Sequence, residues 1–432
     1  MTNSTLKPTT ALQWLAYIEA LHPKSIAMGL DRVSAVASHL QLNPNFPIVT
    51  VAGTNGKGST CAMLSQIYSE AGFTVGCYTS PHLMRYNERV RINQQEISDT
   101  DLCLAFDAVE TARGNIPLTY FEMGTLAAMW YFCQSKLDVV VLEVGLGGRL
   151  DAVNIFEPAC SIVTTIDLDH MEYLGDTREK IGFEKAGIFR PNVLAICGDE
   201  NPPKSLMNYA KQVNAPLKLI NRDFHVKKLM NGWQFTEAGN DFLLPNLGLQ
   251  GEFQRNNAAC AVCAVQYLTS ILPVKITHIQ SALQTVTLIG RFYCIDSNPH
   301  IIVDVAHNPH AALSLAHNLK TTSCAGKTIA VFAMLADKDI NGVIQAVSPY
   351  IDAWLIADNH SVRGAKAQEL HGKLTQHQAS AKVDLFANVA SALAAACDIA
   401  TKNDRIIVFG SFYTVADAID YIANKKIESS ID

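Results

Sequence analysis

The chain has 432 residues, which is too long for one ordinary hydrophobic core and favours two domains. Hydrophobic residues make up 49% of it and charged residues 17%, a globular balance that excludes a disordered protein. The formal net charge of −6 provides no broad positive field, which argues against nucleic acid as a main partner.

The sequence shows neither a targeting signal nor a cysteine pattern typical of a zinc site. The stretch Met1–Pro8 lacks a basic flank followed by an apolar run, and no later apolar run is long enough to span a bilayer. We therefore expect a cytoplasmic protein with no membrane contact and with reduced cysteines. The one close pair, Cys260 and Cys263, lies in an alanine-rich run without a second pair to complete a zinc site, which favours core packing.

The first part of the chain alternates helical and strand-like patterns. Helical spacing occurs over 12–21, 31–40 and 59–70, and buried strands are predicted at 48–52, 74–78, 139–144 and 159–165. This alternation predicts a doubly wound, mostly parallel α/β sheet. Short runs between 224 and 244, broken by Asn231-Gly232 and Gly239-Asn240, predict a small antiparallel meander, and helices at 256–272 and 276–284 follow.

A second α/β series begins after Gly290. Its predicted strands are 301–305, 328–332, 353–357, 383–386 and 406–409, with helices between them. No glycine-rich phosphate loop follows its first strand, so we expect a smaller C-terminal Rossmann-like domain and not a second nucleotide site. The predicted domains are 1–286 and 287–432.

A glycine-rich loop, Gly53-Thr54-Asn55-Gly56-Lys57-Gly58-Ser59, lies between a predicted buried strand and a predicted helix. Unpaired backbone N–H groups and the helix dipole favour an anion there, and a lysine and hydroxyls add nothing to a plain turn. Glycines allow close approach of phosphate oxygens, and the lysine can neutralise them. The predicted ATP-binding residues of this loop are Thr54, Asn55, Gly56, Lys57, Gly58 and Ser59.

The loop departs from the common P-loop spacing, because Gly53 stands two positions too close to the Gly-Lys pair and Gly58 separates Lys57 from Ser59. In this form it resembles the loop of the Mur ligase superfamily and, within it, of the bifunctional dihydrofolate synthase/folylpolyglutamate synthases. Further segments across nearly the whole chain resemble signatures of the same family: Thr79–Leu83, Leu142–Asn154, Asp169–His170, Glu184–Ile188 and Asp304–Ala311. The resemblance implies an ATP-binding central domain and a glutamate-ligase C-terminal domain.

A metal site is predicted beside this loop. Glu143 ends a buried strand, where a carboxylate needs a partner such as a magnesium ion or a salt bridge. His170 follows the next strand, and spacing alone leaves open whether it is a ligand or an ordinary histidine. The resemblance implies that Ser80, Glu143 and His170 bind magnesium, with two ions expected.

Composition and family resemblance give different predictions for Lys185. Its helical context alone predicts an ordinary exposed lysine. In the family the lysine of this Glu-Lys-Ala-Gly segment is carbamylated, which turns a cation into a carboxylate-like group. The resemblance therefore implies a carbamylated Lys185, acting with Lys57 and His170 as catalytic residues.

The resemblance also implies nucleotide and acid-substrate residues. Further ATP contacts, between the two domains, are Asn257, Arg291, Asp304 and His307; Asn308 is explained by a turn or helix cap. The residues expected to bind the pterin-bearing acid are Gly29, Asp31, Arg32, Thr119, Tyr120, Phe121, Glu122 and Asp151. An aromatic pair suits a flat heterocycle, although without the resemblance a helix start that packs into the core is the preferred explanation of Tyr120 and Phe121.

The implied activity is an ADP-forming ligase that adds L-glutamate to dihydropteroate and to reduced folates through an acyl phosphate. We expect a monomer that closes its domains around ATP, magnesium and these small molecules. Two alternatives remain at this stage. One is a Mur-type ligase that adds amino acids to peptidoglycan precursors, against which Gly58 argues. The other is a P-loop kinase or a regulatory nucleotide-binding module.

Overall fold

A computed structural model describes residues 7–22, 24 and 26–428. Residues 1–6 of the N-terminal stretch tested above for a targeting signal lie outside the described residues. The chain divides into two compact units, Met1–Leu247 with Asn256–Val286, and Gly248–Arg255 with Thr287–Asp432.

The first unit is built on an eight-stranded sheet in the order β4-β3-β2-β5-β1-β6-β7-β8. Its strands are β1 Ile48–Ala52, β2 Val75–Tyr78, β3 Val90–Ile92, β4 Gln95–Glu96, β5 Val139–Glu143, β6 Cys160–Val163, β7 Ala195–Cys197 and β8 Leu217–Leu219. Six strands are parallel, and only β3 and β4 at one edge run antiparallel to their neighbours. The central strands β1, β5 and β6 are buried along their whole length, as continuous Val/Ile runs in a parallel sheet require.

Ten helices and a small second sheet complete the elements that begin before residue 287 in the described chain. The helices are α1 Ala11–Ala20, α2 Asp31–His39, α3 Lys57–Glu70, α4 Asp99–Arg113, α5 Tyr120–Gln134, α6 Met171–Leu174, α7 Arg178–Ala186, α8 Lys204–Gln212, α9 Glu252–Tyr267 and α10 Ile276–Thr285. The predicted meander is confirmed as a separate three-stranded antiparallel sheet of β9 Phe224–Leu229, β10 Gly232–Glu237 and β11 Asn240–Leu244. Cys260 and Cys263 are buried in α9, which confirms core packing.

The second unit holds a six-stranded sheet in the order β12-β13-β17-β14-β15-β16. Its elements are β12 Tyr293–Ser297, β13 His300–Asp304, α11 Pro309–Thr321, β14 Thr328–Phe332, α12 Ile340–Val347, β15 Ala353–Ala357, α13 Ala367–His377, β16 Val383–Phe386, α14 Val389–Ile399, β17 Arg405–Phe409 and α15 Phe412–Glu428. All neighbours are parallel except the edge pair β12 and β13. The α/β fold class predicted from the sequence is therefore confirmed.

Several details differ from the sequence predictions. Helix α3 begins at Lys57, two residues earlier than predicted, so the phosphate-loop lysine is already the first helical residue. The short strands β3, β4, β7, β8 and β12 were not predicted. Charged or polar residues interrupt the apolar pattern of β3, β4, β8 and β12, and β7 has only three residues. No described helix is long and apolar enough to cross a membrane.

Candidate active site

The glycine-rich loop follows β1 at the carboxyl end of the sheet and has two left-handed positions that only glycine fills. Gly53 has a φ of +151°, and a Cβ there would lie 1.8 Å from Thr164 Oγ1. Gly56 has a φ of +86°, and its Cβ would lie 2.5 Å from the Asn257 side-chain oxygen. The loop therefore lies directly against β6 on one side and α9 on the other, which leaves a narrow backbone cradle of the kind that holds phosphate.

Hydrogen bonds to the residues that follow β6 and within the loop hold it in place. Thr54 N donates to the Thr165 carbonyl at 2.7 Å, and Thr164 Oγ1 donates to the Asn55 carbonyl at 2.6 Å. Lys57 Nζ donates to the carbonyls of Gly53 at 3.0 Å and Thr54 at 3.3 Å. The ammonium group thus lies at the loop itself, where the charge of a phosphate would meet it.

Two of the predicted metal ligands lie together. Strands β2 and β5 are parallel neighbours, and Ser80 N, just beyond β2, donates to Glu143 Oε2 at 3.2 Å. Glu143 is only 4% exposed. A serine hydroxyl and a buried carboxylate are hard oxygen donors, so they fit magnesium or a similar divalent ion.

His170 stands at the start of the short helix α6, after β6, in the left-handed region with a φ of +50°. Its Nε2 lies 3.9 Å from Asp169 Oδ2. Within the described residues, no group of three or more His, Cys, Asp and Glu side chains is arranged to hold a metal ion.

Lys185 is buried at 3% exposure, so the composition-based prediction of an exposed lysine is wrong. It lies in the last turn of α7, and Gly148, in the loop after β5, packs so closely that a Cβ would lie 2.9 Å from the Lys185 carbonyl. The pKa of Lys185 is lowered to about 7, chiefly by burial and also by the charge of Lys57, while Asp169 and Asp151 act in the opposite direction. A large part of this amine is therefore neutral, and nucleophilic, near neutral pH.

Asp151 is buried in the loop that follows Glu143. It accepts hydrogen bonds from the backbone of Leu146 at 2.8 Å and Val153 at 3.0 Å. Its pKa is raised to about 7, because the effect of burial exceeds the opposite effects of these hydrogen bonds and of Lys57. A buried carboxyl that titrates near neutral pH can donate or accept a hydrogen bond to a heterocycle.

The start of α5 is held by a helix cap, an ion pair and aromatic packing. Thr119 and Glu122 form a capping box, and Arg32 pairs with Glu122 at 2.9 Å, which ties the start of α2 to α5. Gly29 and Asp31 belong to the segment entering α2. Phe121 packs on Gly145, where a Cβ would lie 2.6 Å from the ring, and Tyr120 is the first helical residue. Helix-start packing therefore describes both aromatics, and a ligand role is additional to it.

In the second unit, Arg291, Asp304 and His307 lie around the carboxyl end of β13. Asp304 accepts hydrogen bonds from Phe292 N at 2.9 Å and Ala306 N at 2.8 Å. The pKa of Asp304 is raised to about 6, because the effect of burial exceeds the opposite effect of Arg291. His307 Nδ1 lies 2.8 Å from the Val305 carbonyl, which only accepts, so Nδ1 carries the proton. Asn308 caps α11, as predicted.

Sequence reasoning missed two parts of this region. Thr164 and Thr165 fix the phosphate loop, although nothing in their local pattern indicates it. Arg89 lies next to His82, whose Nδ1 is 2.9 Å from Arg89 Nε. The pKa of His82 is lowered to about 4, chiefly by burial and also by the nearby guanidinium of Arg89. The sequence signal that could have indicated Arg89 is its closeness along the chain to the Thr79–Leu83 segment.

Comparison with known proteins identifies the family. The Mur ligase middle-domain model matches residues 51–265, and the model of the Mur ligase glutamate ligase domain matches residues 290–412. The dihydrofolate synthase/folylpolyglutamate synthase of Escherichia coli is 43% identical over 414 residues, covering 96% of each chain. The chain belongs to the dihydrofolate synthase/folylpolyglutamate synthase family.

Solved structures of family members match nearly the whole chain. Escherichia coli FolC in complex with DHPP and ADP is 42% identical with a TM-score of 0.92, covering 97% of this chain and 99% of that one. A bifunctional folylpolyglutamate synthase/dihydrofolate synthase with Mn, AMPPNP and L-glutamate bound is also 42% identical, with a TM-score of 0.88 and coverage of 96% and 100%. These matches do not favour the peptidoglycan-ligase, kinase or regulatory-module alternatives.

The contact between Gly56 and Asn257 leads to a matched pair of substitutions. Gly72 also has a left-handed backbone, with a φ of +89°, but nothing lies within 4 Å of its Cβ position. Both Gly56→Ala and Gly72→Ala should lower the free energy of unfolding by about 1 kcal/mol through backbone strain. Only Gly56→Ala should also weaken ATP binding, by roughly tenfold or more, because its methyl group displaces Asn257 from the cradle. Chemical denaturation and nucleotide titration measure the two effects; equal ATP affinities in the two variants would contradict the assignment.

Proposed function

We propose that this protein is an ATP-dependent, ADP-forming ligase that couples L-glutamate to dihydropteroate, giving dihydrofolate, and to folylpolyglutamates. The observation that carries this proposal is the arrangement at the carboxyl edge of the first sheet. A phosphate cradle with its lysine lies in the same unit as the Ser80–Glu143 pair and a buried lysine whose pKa reflects Lys57 and Asp151. Membership of the family supports the choice of acid and amino acid.

The reaction proceeds in two transfers. A carboxylate oxygen of the acid attacks the γ-phosphorus of ATP, the bond to the bridging oxygen breaks, and ADP leaves behind an acyl phosphate. The amine of glutamate then attacks the acyl carbon, loses a proton and expels inorganic phosphate, which leaves an amide. Lys57 stabilises the negative charge that builds up on the transferring phosphoryl oxygens. A divalent ion held by Ser80, Glu143 and His170 would supply further charge neutralisation at these oxygens.

Lys185 is proposed to work as a carbamate. Its neutral amine attacks carbon dioxide, a proton leaves the nitrogen, and the side chain becomes an anion. The low pKa makes the amine available for this step near neutral pH, and the nearby charge of Lys57 stabilises the product. The modified side chain would then present oxygens in place of an ammonium group in the buried site.

The acid substrate is assigned to the region of Asp151 and the starts of α2 and α5. Asp151 is suited to hydrogen-bond a pterin ring, and Tyr120 and Phe121 offer aromatic surface to it. Arg32 and Glu122, which pair with each other, act through the position of the segment containing Gly29 and Asp31. Thr119 contributes through its cap of the same helix.

Nucleotide contacts are proposed for each unit separately. Thr54, Asn55, Gly56, Lys57, Gly58, Ser59 and Asn257 are proposed as contacts of the first unit, and Arg291, Asp304 and His307 as those of the second. We place the functional domains at 1–286 and 287–432. A cytoplasmic location is proposed, since the described structure has free cysteines that a reducing compartment would preserve. A monomer is proposed as the working form.

A product assay tests the proposed activity. The purified chain is incubated with ATP, a magnesium salt, L-glutamate and either dihydropteroate or a reduced folate, and the products are separated by mass. We expect a glutamylated product and one ADP for each amide formed. Phosphate release that does not depend on the acid or on glutamate, or the absence of product with both acids, would refute the proposal.

A further inference from the structure

Arg89 is a buried cation beside the candidate site. It ends a short 3-10 turn, Tyr86–Arg89, and is only 8% exposed. Within the described residues, no carboxylate pairs with it, and its only side-chain hydrogen bond is from Nε to His82 Nδ1 at 2.9 Å. Since a guanidinium has no acceptor, His82 must accept at Nδ1. A buried charge without a counter-ion is costly, so this arrangement requires an explanation.

Aromatic rings cover Arg89 while its outer N–H groups are left available. The guanidinium carbon lies 5.1 Å from the ring centroid of Tyr86 and 5.5 Å from that of Tyr120. Such contacts use the electron-rich face of the ring, and stacking leaves the in-plane donors of an arginine able to bind an anion. With Nε bound to His82, the two Nη groups remain as a fork, which matches the two oxygens of a carboxylate.

Arg89 contacts both the segment next to Ser80 and the start of α5 in the first unit. Its carbonyl accepts a hydrogen bond from Thr79 N at 2.9 Å, and the next residue, Ser80, is bonded to Glu143. Its other neighbour, Tyr120, starts the helix proposed to face the acid substrate. Burial raises the pKa of Tyr78 to about 12, and that pKa also responds to the charges of Arg89 and Asp151, so Tyr78 lies near both.

We propose that Arg89, held in place by His82, Tyr86 and Tyr120, binds a carboxylate of the acid substrate. This inference rests on the proposed function and adds a binding residue to it. Dihydropteroate has one carboxylate, at which the reaction occurs, whereas a reduced folate carries further carboxylates on its glutamate. The same guanidinium chemistry suits either kind of carboxylate, and the two acids distinguish them.

The test compares acids with an uncharged analogue. Equilibrium binding of dihydropteroate and of its carboxamide is measured on the full chain and on Arg89→Gln. We expect the substitution to weaken binding of the acid by about 30-fold or more and that of the amide by less than about threefold. Weakening that is equal for dihydropteroate, its carboxamide and a reduced folate would show a structural role and overturn the proposal, as would unchanged binding of all three.

Further variants make the result specific. Arg85→Gln is the matched control, since Arg85 precedes Arg89 in the same segment but is 61% exposed and pairs with Asp99; it should leave both affinities unchanged. Arg89→Lys keeps the positive charge but lacks the two Nη groups, and it replaces Arg89→Gln in the test if that variant does not fold. It too should weaken binding of the acid more than binding of the amide. A greater loss for a reduced folate than for dihydropteroate identifies a glutamate carboxylate, and equal losses identify the reacting one.

These affinities are measured without turnover, which separates this proposal from the proposed activity. A chain that binds the acid through Arg89 but forms no product would refute the activity alone. A chain that forms product with unchanged acid affinity in Arg89→Gln would refute the role of Arg89 alone.

Discussion

Replacing Lys57 by methionine should lower the rate of ADP formation on the order of 1,000-fold, since one preorganised charge at a transferring phosphoryl group has an effect of this size. The structure already places the ammonium group at the loop, where it bonds to the carbonyls of Gly53 and Thr54. No large rearrangement is therefore needed before it meets a phosphate. Methionine keeps the aliphatic stem, so the loss of activity should exceed any loss of stability.

The same substitution should alter Lys185. The charge of Lys57 contributes to the lowered pKa of Lys185, so its removal should raise that pKa toward the ordinary lysine value. Single-turnover ADP formation and thermal unfolding are measured for Lys57→Met and for a control, Lys180→Met. Lys180 is 63% exposed and pairs with Asp176, so its loss should change neither quantity. A Lys57→Met variant within tenfold of the wild-type rate would contradict the proposed role.

The sequence predicted most of the architecture because buried parallel strands have a strong local pattern. The predicted bounds of β1, β14 and β15 agree with the structure, since each is a short buried run of mainly apolar residues. The edge strand β12 has no such pattern: its residues Tyr293–Ser297 are partly or fully exposed and alternate irregularly. Its formation depends on pairing with β13, which local residue preferences do not reveal.

The candidate site was predictable only where the backbone itself needs a particular residue. Gly53 and Gly56 stand out in the sequence because their conformations and contacts exclude any side chain. The unusual environment of Lys185 does not stand out in the sequence, because the charged residues that act on its pKa, Lys57, Asp151 and Asp169, come from other segments of the chain. The environment of Arg89 likewise includes Tyr120, which comes from a different helix. Such electrostatic environments arise from tertiary packing, so sequence spacing alone could not predict them.

Removing carbon dioxide should reversibly inactivate the wild-type enzyme, and replacing Lys185 by alanine should lower the rate about 1,000-fold. The folded-state pKa of about 7 lies below the ordinary lysine value of 10.5, so the folded chain keeps the amine neutral over the interval between them. Carbamylation needs the neutral amine. At a fixed concentration of dissolved carbon dioxide, reactivation should therefore be fast one pH unit above this pKa and slow one unit below it.

Chemical rescue distinguishes a carbamate from a merely buried amine. In Lys185→Ala, a small carboxylate such as acetate or formate can enter the space left by the side chain and supply the missing anion, so activity should partly return. Lys185→Arg keeps a positive charge and fills that space, and it should stay inactive under the same treatment. Intact-protein mass spectrometry under mild alkaline conditions should show one added carbon dioxide on the wild-type chain and none on either variant. A wild-type chain that keeps full activity without carbon dioxide, or an alanine variant that no carboxylate restores, would exclude the carbamate and leave Lys185 acting as an unmodified amine.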